Sequence, residues 1–295
     1  MARKQIVACL IIGMWAGWVV GCDKERPIVV GSKNFTEQVI LGEIVAQHLE
    51  HRLARKVNRK LNLGGTLLVH QALLKGDVDL YPEYTGTALM TVLKLPSSAN
   101  PAAGMAVVRA EYQARFGVEW MEPLGFNNSF AMVIRGEDAR KGKIENLSDA
   151  ARYPSRWTLG VGYEFQQRSD GLAGLLNTYN LPVEGSSKTM DLGLLYRALE
   201  QKQVTMIAAS ATDGPLSVLD VTVLRDDKEY FPPYQAALAV RAESLNAEPR
   251  LRQALNELSG KFSDTIMRKL NHQVDGEHRA IRDVAEQFLR ESGLN

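Results

Sequence analysis

Aromatic residues lie at two places where a strand gives way to a turn or a helix. Tyr81 and Tyr84 occur in the segment from Asp77 to Thr87, and Tyr234 follows two consecutive prolines, which fix the backbone near that ring. An aromatic face carries negative potential, so several rings around one point bind a quaternary ammonium group, which cannot donate a hydrogen bond. The same rings could instead be half-buried packing with a hydrated hydroxyl, and the pattern alone leaves both interpretations open.

The residues that support catalysis or metal binding in other proteins form no recognisable arrangement here. The sequence has no P-loop, no Gly-x-Ser-x-Gly elbow with a histidine to serve it, and no complete dinucleotide-binding fingerprint. His48 and His51 have a spacing that could hold a metal ion, but we assign them to a solvated helix face. We therefore expect a protein that is not an enzyme and has no cofactor and no metal site.

Strand and helix patterns alternate around the aromatic residues. A β-branched run at 27–32 precedes apolar residues at helical spacing, with Asn34 and Glu37 predicted as a capping box and Thr66 as the cap of the next helix. This alternation, and helices from Arg250 onward, predicts an α/β fold with parallel sheets covered by helices. Since no linker separates two halves, we expect two lobes joined by strands, with a ligand in the cleft between them.

Length and charge exclude several classes of protein. The 295 residues are 45% hydrophobic, and 35 Lys and Arg residues nearly balance 34 Asp and Glu residues. A general nucleic-acid binder usually has a basic excess, so no nucleic-acid partner is expected. Cys9 and Cys22 are the only cysteines, which excludes a disulfide framework and a zinc site built from several thiolates.

The N-terminus has the features of an export signal. Arg3 and Lys4 precede an uncharged, mostly apolar stretch that ends at Gly21, shorter than the roughly 20 residues that span a bilayer. The residues ending in Cys22 resemble a bacterial lipobox. We predict a lipoprotein signal peptide at 1–21, a lipid-modified Cys22 with a tether at 22–26, and an exported protein anchored to the cell membrane or periplasmic. An uncleaved anchor or a plain signal peptide is the alternative.

Beyond residue 26 the sequence resembles the substrate-binding lipoproteins of ABC importers for glycine betaine, choline and related quaternary ammonium osmoprotectants. The resemblance implies a two-lobed periplasmic-binding-protein fold of type II, with lobe 1 formed by 27–128 plus 235–295 and lobe 2 by 129–234. It also implies an ABC permease with its ATPase as partner. The matching segments run in family order: Gly31–Gln38, Leu80–Thr87, Gly125–Asn128, Arg168–Gly171, Thr212–Gly214 and Asp226–Tyr234.

The resemblance also implies which residues contact the solute. Tyr84 and Tyr234 match rings of the family's aromatic cage, and Phe130 falls where a tyrosine is usual, so it keeps the ring face and lacks the hydroxyl. Lys33, Thr87 and Arg168 match residues that contact the solute's carboxylate. A cationic fork, a point charge and a hydroxyl are suited to a planar anion, and we expect Thr87 and Arg168 at helix starts, where anions are favoured.

Ser210 departs from the family pattern because it occupies a position where another cage tyrosine is common. A missing ring weakens binding by roughly tenfold if a desolvated ring contributes about 1 to 2 kcal/mol. Three explanations remain open: a weak betaine site, a substitute ring such as Tyr163 or Phe165, or a bulkier solute.

The leading hypothesis is a binding protein that captures glycine betaine or a related quaternary ammonium zwitterion for an ABC importer. The alternatives are the same fold with a bulkier or different solute, such as carnitine, an ergothioneine-like compound or choline, and a ligand-sensing lipoprotein without transport. A secreted enzyme on the same scaffold would need a nucleophile paired with a base, and the sequence shows none. The affinity, the osmotic or catabolic role, the membrane that holds the anchor and the surfaces that contact the permease are not predicted.

Overall fold

The computed structural model describes residues 26–294. The predicted signal peptide, Cys22 and nearly all of the tether lie outside the described residues. Within 26–294, no helix combines the length and the apolar composition needed to cross a membrane.

The described chain forms two five-stranded sheets, each at the centre of one lobe. The first sheet has the order β2-β1-β3-β10-β4 and the second has the order β7-β6-β8-β5-β9. The strands are β1 Val29–Gly31, β2 Asn58–Lys60, β3 Leu80–Tyr84, β4 Val118–Trp120, β5 Phe130–Arg135, β6 Leu159–Val161, β7 Lys188–Thr189, β8 Met206–Ser210, β9 Val221–Leu224 and β10 Ala236–Arg241. We call the lobe around the first sheet lobe 1 and the lobe around the second sheet lobe 2.

Helices cover both sheets. They are α1 Thr36–Leu53, α2 Thr66–Leu74, α3 Thr85–Thr87, α4 Pro101–Phe116, α5 Gly136–Gly142, α6 Leu147–Arg152, α7 Tyr163–Gln167, α8 Leu172–Tyr179, α9 Leu192–Glu200, α10 Ala242–Ala247, α11 Pro249–Asn256, α12 Asp264–Asp275 and α13 Ile281–Glu291. A π-helix, Ala88–Leu93, follows α3, and a 3₁₀ turn, Gly214–Ser217, follows β8. All five residues of β3 are buried, as expected for a central strand covered on both faces.

Both sheets are mixed, so the expectation of parallel sheets was wrong. In lobe 1, β10 runs antiparallel to β3 and β4, and in lobe 2, β5 runs antiparallel to β8 and β9. Both reversed strands come directly after a passage of the chain from one lobe to the other. They therefore enter their sheets without the crossover helix that a parallel connection requires.

The two passages between the lobes are largely irregular segments, 121–129 and 225–235, and not the continuous strands that we expected. They are held together by an antiparallel bridge between Asn127 and Gln235. The Asn127 amide also donates to Asp264 Oδ1 at 2.9 Å, which fixes the first passage to the start of α12. These contacts place the residues on either side of the bridge at the junction of the two lobes.

Two predicted helix caps are absent. Helix α1 has Phe35 as its N-cap residue, and no side chain caps it, so the capping box predicted from Asn34 and Glu37 was wrong. Helix α2 begins at Thr66 with Gly65 as its N-cap. The Thr66 amide is instead capped from the other lobe, because it donates to Glu164 Oε1 at 3.0 Å.

His48 is fully buried, which contradicts its assignment to a solvated face. Its Nε2 lies 2.8 Å from the carbonyl oxygen of Ala254, and its Nδ1 lies 3.3 Å from that of Leu294. Burial lowers the pKa of His48, although the two carbonyl contacts act in the opposite direction. Among the described residues, no group of three or more His, Cys, Asp or Glu side chains is arranged to hold a metal ion.

Candidate ligand-binding cleft

The end of β3 supplies two of the predicted site residues. Tyr84 is the last residue of β3 and Thr87 ends the short helix α3, and each is only 4% exposed. Between them, Gly86 lies against the ring of Tyr234, and a Cβ at this position would be 2.6 Å from two ring carbons. Glycine is therefore required for the close approach of this turn to Tyr234.

The position of Tyr234 is set by the first passage between the lobes. Its backbone amide donates to Asn127 Oδ1 at 2.5 Å, and its carbonyl accepts from the Asn128 amide at 3.1 Å. The carbonyl of the preceding Pro233 accepts from the Thr85 hydroxyl at 3.2 Å. The ring of Tyr234 is thus held from both sides, which favours a fixed wall over mobile packing.

Arg168 makes the widest set of contacts among the predicted residues. It follows the last residue of α7, so the expectation that it lies at a helix start was wrong. Its guanidinium donates to both carboxylate oxygens of Asp170, at 2.8 and 2.5 Å. A third bond reaches across the lobes to Thr87 Oγ1 at 3.1 Å, and Tyr234 Oη lies 3.4 Å away.

The Arg168 side chain lies against two aromatic rings, one of which contacts a third. The guanidinium carbon of Arg168 lies 5.2 Å from the ring centre of Phe130 and 5.6 Å from that of Tyr234. The centres of those two rings are 5.8 Å apart at an interplanar angle of 74°. Phe165 contacts the Phe130 ring edge to face at 4.9 Å. Cation-binding ring faces and a cation that can bind an anion therefore lie side by side.

Lys33 is buried in lobe 1 and has its own carboxylate. Its Nζ lies 2.5 Å from Glu83 Oε1, with the two side chains 3% and 0% exposed. The same Nζ is 4.9 Å from the ring centre of Tyr84. Glu83 also accepts from the Tyr84 amide at 2.7 Å and from the Tyr81 hydroxyl at 3.2 Å. A lysine ammonium has three donors, so this pair leaves others for a ligand.

Ser210 lies directly opposite Phe130, at the end of β8 where it pairs with the start of β5. It is partly buried, and its amide donates to Asp213 Oδ2 at 3.0 Å. Of the two rings suggested as substitutes, Tyr163 is 58% exposed, whereas Phe165 is 2% exposed and packs against Phe130. Phe165 therefore supports an existing wall of the cleft.

The structure brings the seven predicted site residues into one region, although not all contact one another. Arg168 connects Thr87, Phe130 and Tyr234. Lys33 contacts Tyr84, and Ser210 pairs with Phe130. Tyr84 and Tyr234 lie on either side of the turn at Gly86.

Three carboxylates of this region were missed from the sequence: Glu37, Glu83 and Asp170. Tyr84 donates to Glu37 Oε1 at 2.6 Å, and Tyr234 donates to Asp170 Oδ2. Burial raises the pKa of both tyrosines, so both hydroxyls keep their protons and donate. All three were inside the matching segments Gly31–Gln38, Leu80–Thr87 and Arg168–Gly171, which was the only signal, since nothing in a linear sequence shows a carboxylate directed into the protein.

Glu37 is buried and Asp213 is partly buried, and neither acid has a hydrogen-bonded cation among the described contacts. Burial raises the pKa of Glu37, against the effect of hydrogen bonds from Thr212, Tyr84, Asn271 and Asn128. Burial likewise raises the pKa of Asp213 to about 7, with hydrogen bonds from the Ser210 amide and the Tyr196 hydroxyl acting against it.

A comparison with known families identifies this architecture. Residues 26–291 match the model of the substrate binding domain of the ABC-type glycine betaine transport system. The chain belongs to this family. The family resemblance predicted from the sequence is thereby confirmed, as are the two-lobed α/β fold and the assignment as the solute-binding component of an ABC importer.

Individual members of this substrate-binding family are similar over most of the chain. The ergothioneine transport permease/ergothioneine binding protein EgtU of Helicobacter pylori (strain G27) is 36% identical over 92% of this chain, which spans only 48% of that relative's length. The carnitine transport binding protein OpuCC of Listeria monocytogenes serotype 1/2a (strain 10403S) is 32% identical, over 92% of this chain and 89% of the relative.

A solved structure of a glycine betaine/carnitine/choline ABC transporter component matches this family member with a TM-score of 0.77. It is 30% identical, and the match covers 90% of this chain and 99% of the solved chain. These relatives are solute-binding proteins of transporters, which agrees with the lack of a nucleophile and base in the sequence.

Proposed function

We propose that this chain captures a zwitterionic quaternary ammonium solute, glycine betaine or a close relative, and delivers it to its permease. The observation that carries the proposal is the position of Arg168, which lies against the rings of Phe130 and Tyr234 and bonds Thr87 across the lobes. Rings bind a quaternary ammonium by its charge, and the guanidinium binds a carboxylate by its fork geometry.

The local charge balance favours a solute that is neutral overall. Arg168 is matched by Asp170 and Lys33 is matched by Glu83, so neither cation brings a net positive charge to the cleft. Each paired cation attracts an anion, and repels a cation, less strongly than an unpaired one would. A zwitterion places opposite charges against opposite groups, which is the better match to two closed ion pairs.

We further propose that Arg168, Thr87 and Lys33 contact the solute's carboxylate, while Tyr84, Phe130 and Tyr234 contact its ammonium group. Ser210 would border the same space opposite Phe130. The support is the family match together with the contacts that join these side chains. Arg168 and Lys33 can still donate to a solute carboxylate while they remain in their ion pairs, because a guanidinium has five N–H donors and an ammonium has three.

The export and anchoring of the chain belong to the same proposal. A signal peptide at 1–21 and a lipid on Cys22 would tether the protein outside the cytoplasm, where it meets the permease. The lobes would be 27–128 plus 235–295 and 129–234, and the solute would bind between them. The protein would have no enzymatic activity, which the names of the reported relatives support, because they describe transport and solute binding.

Titration calorimetry tests the proposal. We expect glycine betaine, choline, carnitine or ergothioneine to bind, with the tightest solute a zwitterion. Tyr84→Ala should weaken the binding of every quaternary amine, by about tenfold or more. The absence of detectable heat with all four solutes at millimolar concentration would refute the proposal.

A bulkier zwitterion is a second candidate, and Ser210 is the observation that favours it. A serine opposite Phe130 leaves room where the family commonly has a tyrosine. Ser210→Tyr should tighten glycine betaine by roughly tenfold if the native solute is small. If the native solute is larger, the same substitution should exclude that solute, and Ser210→Ala is the matched control because it adds no volume.

A further inference from the structure

Glu37 accepts hydrogen bonds from four side chains. Its Oε1 accepts from the Tyr84 hydroxyl at 2.6 Å and from Asn128 Nδ2 at 2.8 Å. Its Oε2 accepts from the Thr212 hydroxyl at 2.5 Å and from Asn271 Nδ2 at 3.3 Å. An ionised carboxylate offers about four lone-pair sites, so these four donors occupy the whole accepting capacity of Glu37, which is 3% exposed.

The four donors come from different parts of the molecule. Tyr84 ends a strand of the lobe 1 sheet, Asn128 lies in the first passage between the lobes, and Asn271 lies in α12. Thr212 follows β8 of lobe 2, two residues after Ser210. Glu37 is therefore the one described side chain that hydrogen-bonds both Tyr84 and the segment that carries Ser210.

The segment after β8 packs closely on α12 of lobe 1. The Ala211 carbonyl accepts from Arg268 Nε and the Thr212 carbonyl accepts from Asn271 Nδ2, each at 2.8 Å. A Cβ on Gly214 would be 2.6 Å from the backbone nitrogen of His272. With the backbone held so closely, the Thr212 hydroxyl and Glu37 are fixed relative to each other.

We infer that Glu37 is a positioning residue that couples Tyr84 of lobe 1 to the Ser210 segment of lobe 2, so that both walls of the cleft are held in one arrangement. The inference rests on the proposed function for its effect on affinity. It adds a residue that touches no solute and acts through two hydrogen-bonding partners on opposite sides of the lobe boundary. All four partners of Glu37 donate, so the coupling requires an ionised Glu37.

The surroundings of Glu37 make this requirement sensitive to pH. Burial raises the pKa of Glu37, so it takes up a proton at higher pH than an exposed glutamate. Asp213 is the nearest charged neighbour on the β8 segment, and Asp275 of α12 also raises the pKa of Asp213. Arg268 of α12 bonds the Ala211 carbonyl, and the His272 side chain lies beside Asp275.

A double-mutant cycle on glycine betaine affinity tests the coupling. Tyr84→Phe and Thr212→Val each remove one hydroxyl and keep the volume of the side chain. We expect each to raise Kd about fivefold to tenfold, and the double variant to raise it by much less than the product of the two. In a Glu37→Gln background the fold-increases in Kd from the two changes should simply multiply. Glutamine presents an NH₂ donor to side chains that also donate, so it cannot couple them as the carboxylate does.

The pH dependence separates positioning from simple loss of structure. Wild-type affinity should fall as pH is lowered and Glu37 becomes protonated, and burial moves this fall to higher pH than an exposed glutamate would give, while the carboxylate of glycine betaine stays ionised. Asp213→Asn should retain the part of the pH dependence of affinity that is due to Glu37, and Glu37→Gln should remove that part. Glu37→Asp keeps the carboxylate and should recover some affinity relative to Glu37→Gln at about pH 8.

Hydrogen exchange of the solute-free protein gives a readout that does not depend on the solute. Glu37→Gln should increase exchange of the amides in residues 210–213 by at least about tenfold, whereas Glu43→Gln, a change on the same helix, should leave them unchanged. Multiplicative effects in the wild-type cycle, or unchanged exchange in Glu37→Gln, would overturn the inference. If no solute binds, the proposed function fails and the exchange measurement alone decides the role of Glu37.

Discussion

Two buried ion pairs border the cleft, and they differ in their relation to the lobes. Lys33 and Glu83 both belong to lobe 1, and the other contacts of Glu83 are also in lobe 1. Arg168 and Asp170 belong to lobe 2, but Arg168 reaches Thr87 and Asp170 accepts from Tyr234. The first pair is complete within one lobe, whereas the second has contacts that exist only when the lobes meet.

This difference implies a division of roles. A pair within one lobe contributes to the stability of that lobe whether or not solute is present. A pair that also bonds the other lobe links solute binding to the contact between lobes, because its contacts form together with the closed cleft. We therefore expect changes at Lys33 to act mainly on unfolding and changes at Arg168 to act mainly on affinity.

The largest expected effect on stability is that of Lys33→Met. The change leaves Glu83 fully buried without its cation, and breaking a buried pair on one side costs about 3 kcal/mol or more. The free energy of unfolding without solute, measured with denaturant, should fall by this amount. The double variant Lys33→Met/Glu83→Gln is the control and should regain much of the loss.

A wild-type unfolding free energy in Lys33→Met, together with a large loss of affinity, would contradict the division of roles. Lys33 would then act through its solute contact alone and contribute nothing to the stability of lobe 1.

Asp213 differs from Glu83 and Asp170 because it has no hydrogen-bonded cation among the described contacts. Its pKa is raised to about 7, and the folded protein therefore holds its proton at pH values where the unfolded chain has released it. Stability should be highest below the ordinary range of an aspartate and should fall as pH rises through about 7.

Asp213→Asn should weaken this pH dependence, because asparagine has no proton to lose. Denaturant unfolding at about pH 5 and at about pH 8 measures the difference for the wild type and the variant. An equal fall in both proteins would assign the dependence to other acids, of which Glu37 and Asp275 also have raised pKa values.

The smallest effect is expected at another contact across the lobes. Glu164→Ala removes the carboxylate that caps the Thr66 amide at the start of α2, and a lost helix cap costs about 1 kcal/mol. The rate of solute release in stopped-flow measurements should increase by about fivefold, with little change in the free energy of unfolding of the solute-free protein. Glu164→Gln keeps an acceptor and should have a smaller effect, and a loss of stability in place of faster release would contradict a role between the lobes.

The sequence predicted the fold class and family well, and its failures concern contacts made by distant segments. Asn34 and Glu37 have the spacing of a capping box, yet Glu37 turns into the protein because donors from Asn128, Thr212 and Asn271 surround it. His48 has a polar neighbourhood along its helix, and only the arrival of α11 and the C-terminal residues buries it.

The candidate site could be predicted where motifs are contiguous. Tyr84 and Thr87 lie in one segment, and Arg168 begins another, so the resemblance proposed them directly as solute contacts. The pairing of Lys33 with Glu83 could not be assigned in the same way, since the two residues are 50 apart in the chain. Asp170 lies only two residues after Arg168, and its pairing was missed because the sequence does not show which way a carboxylate turns. Strand direction was also missed, because hydrophobic patterns record burial and carry no information on which way a strand runs.

The most direct test of the account is the selectivity of Arg168→Met for glycine betaine over choline, measured by calorimetry against the wild type. Choline shares the quaternary ammonium but has no carboxylate. If Arg168 binds the carboxylate, the variant should lose about 100-fold in affinity for glycine betaine and about tenfold or less for choline. Equal losses for both solutes would contradict the account, because Arg168 would then act only by holding the lobes together.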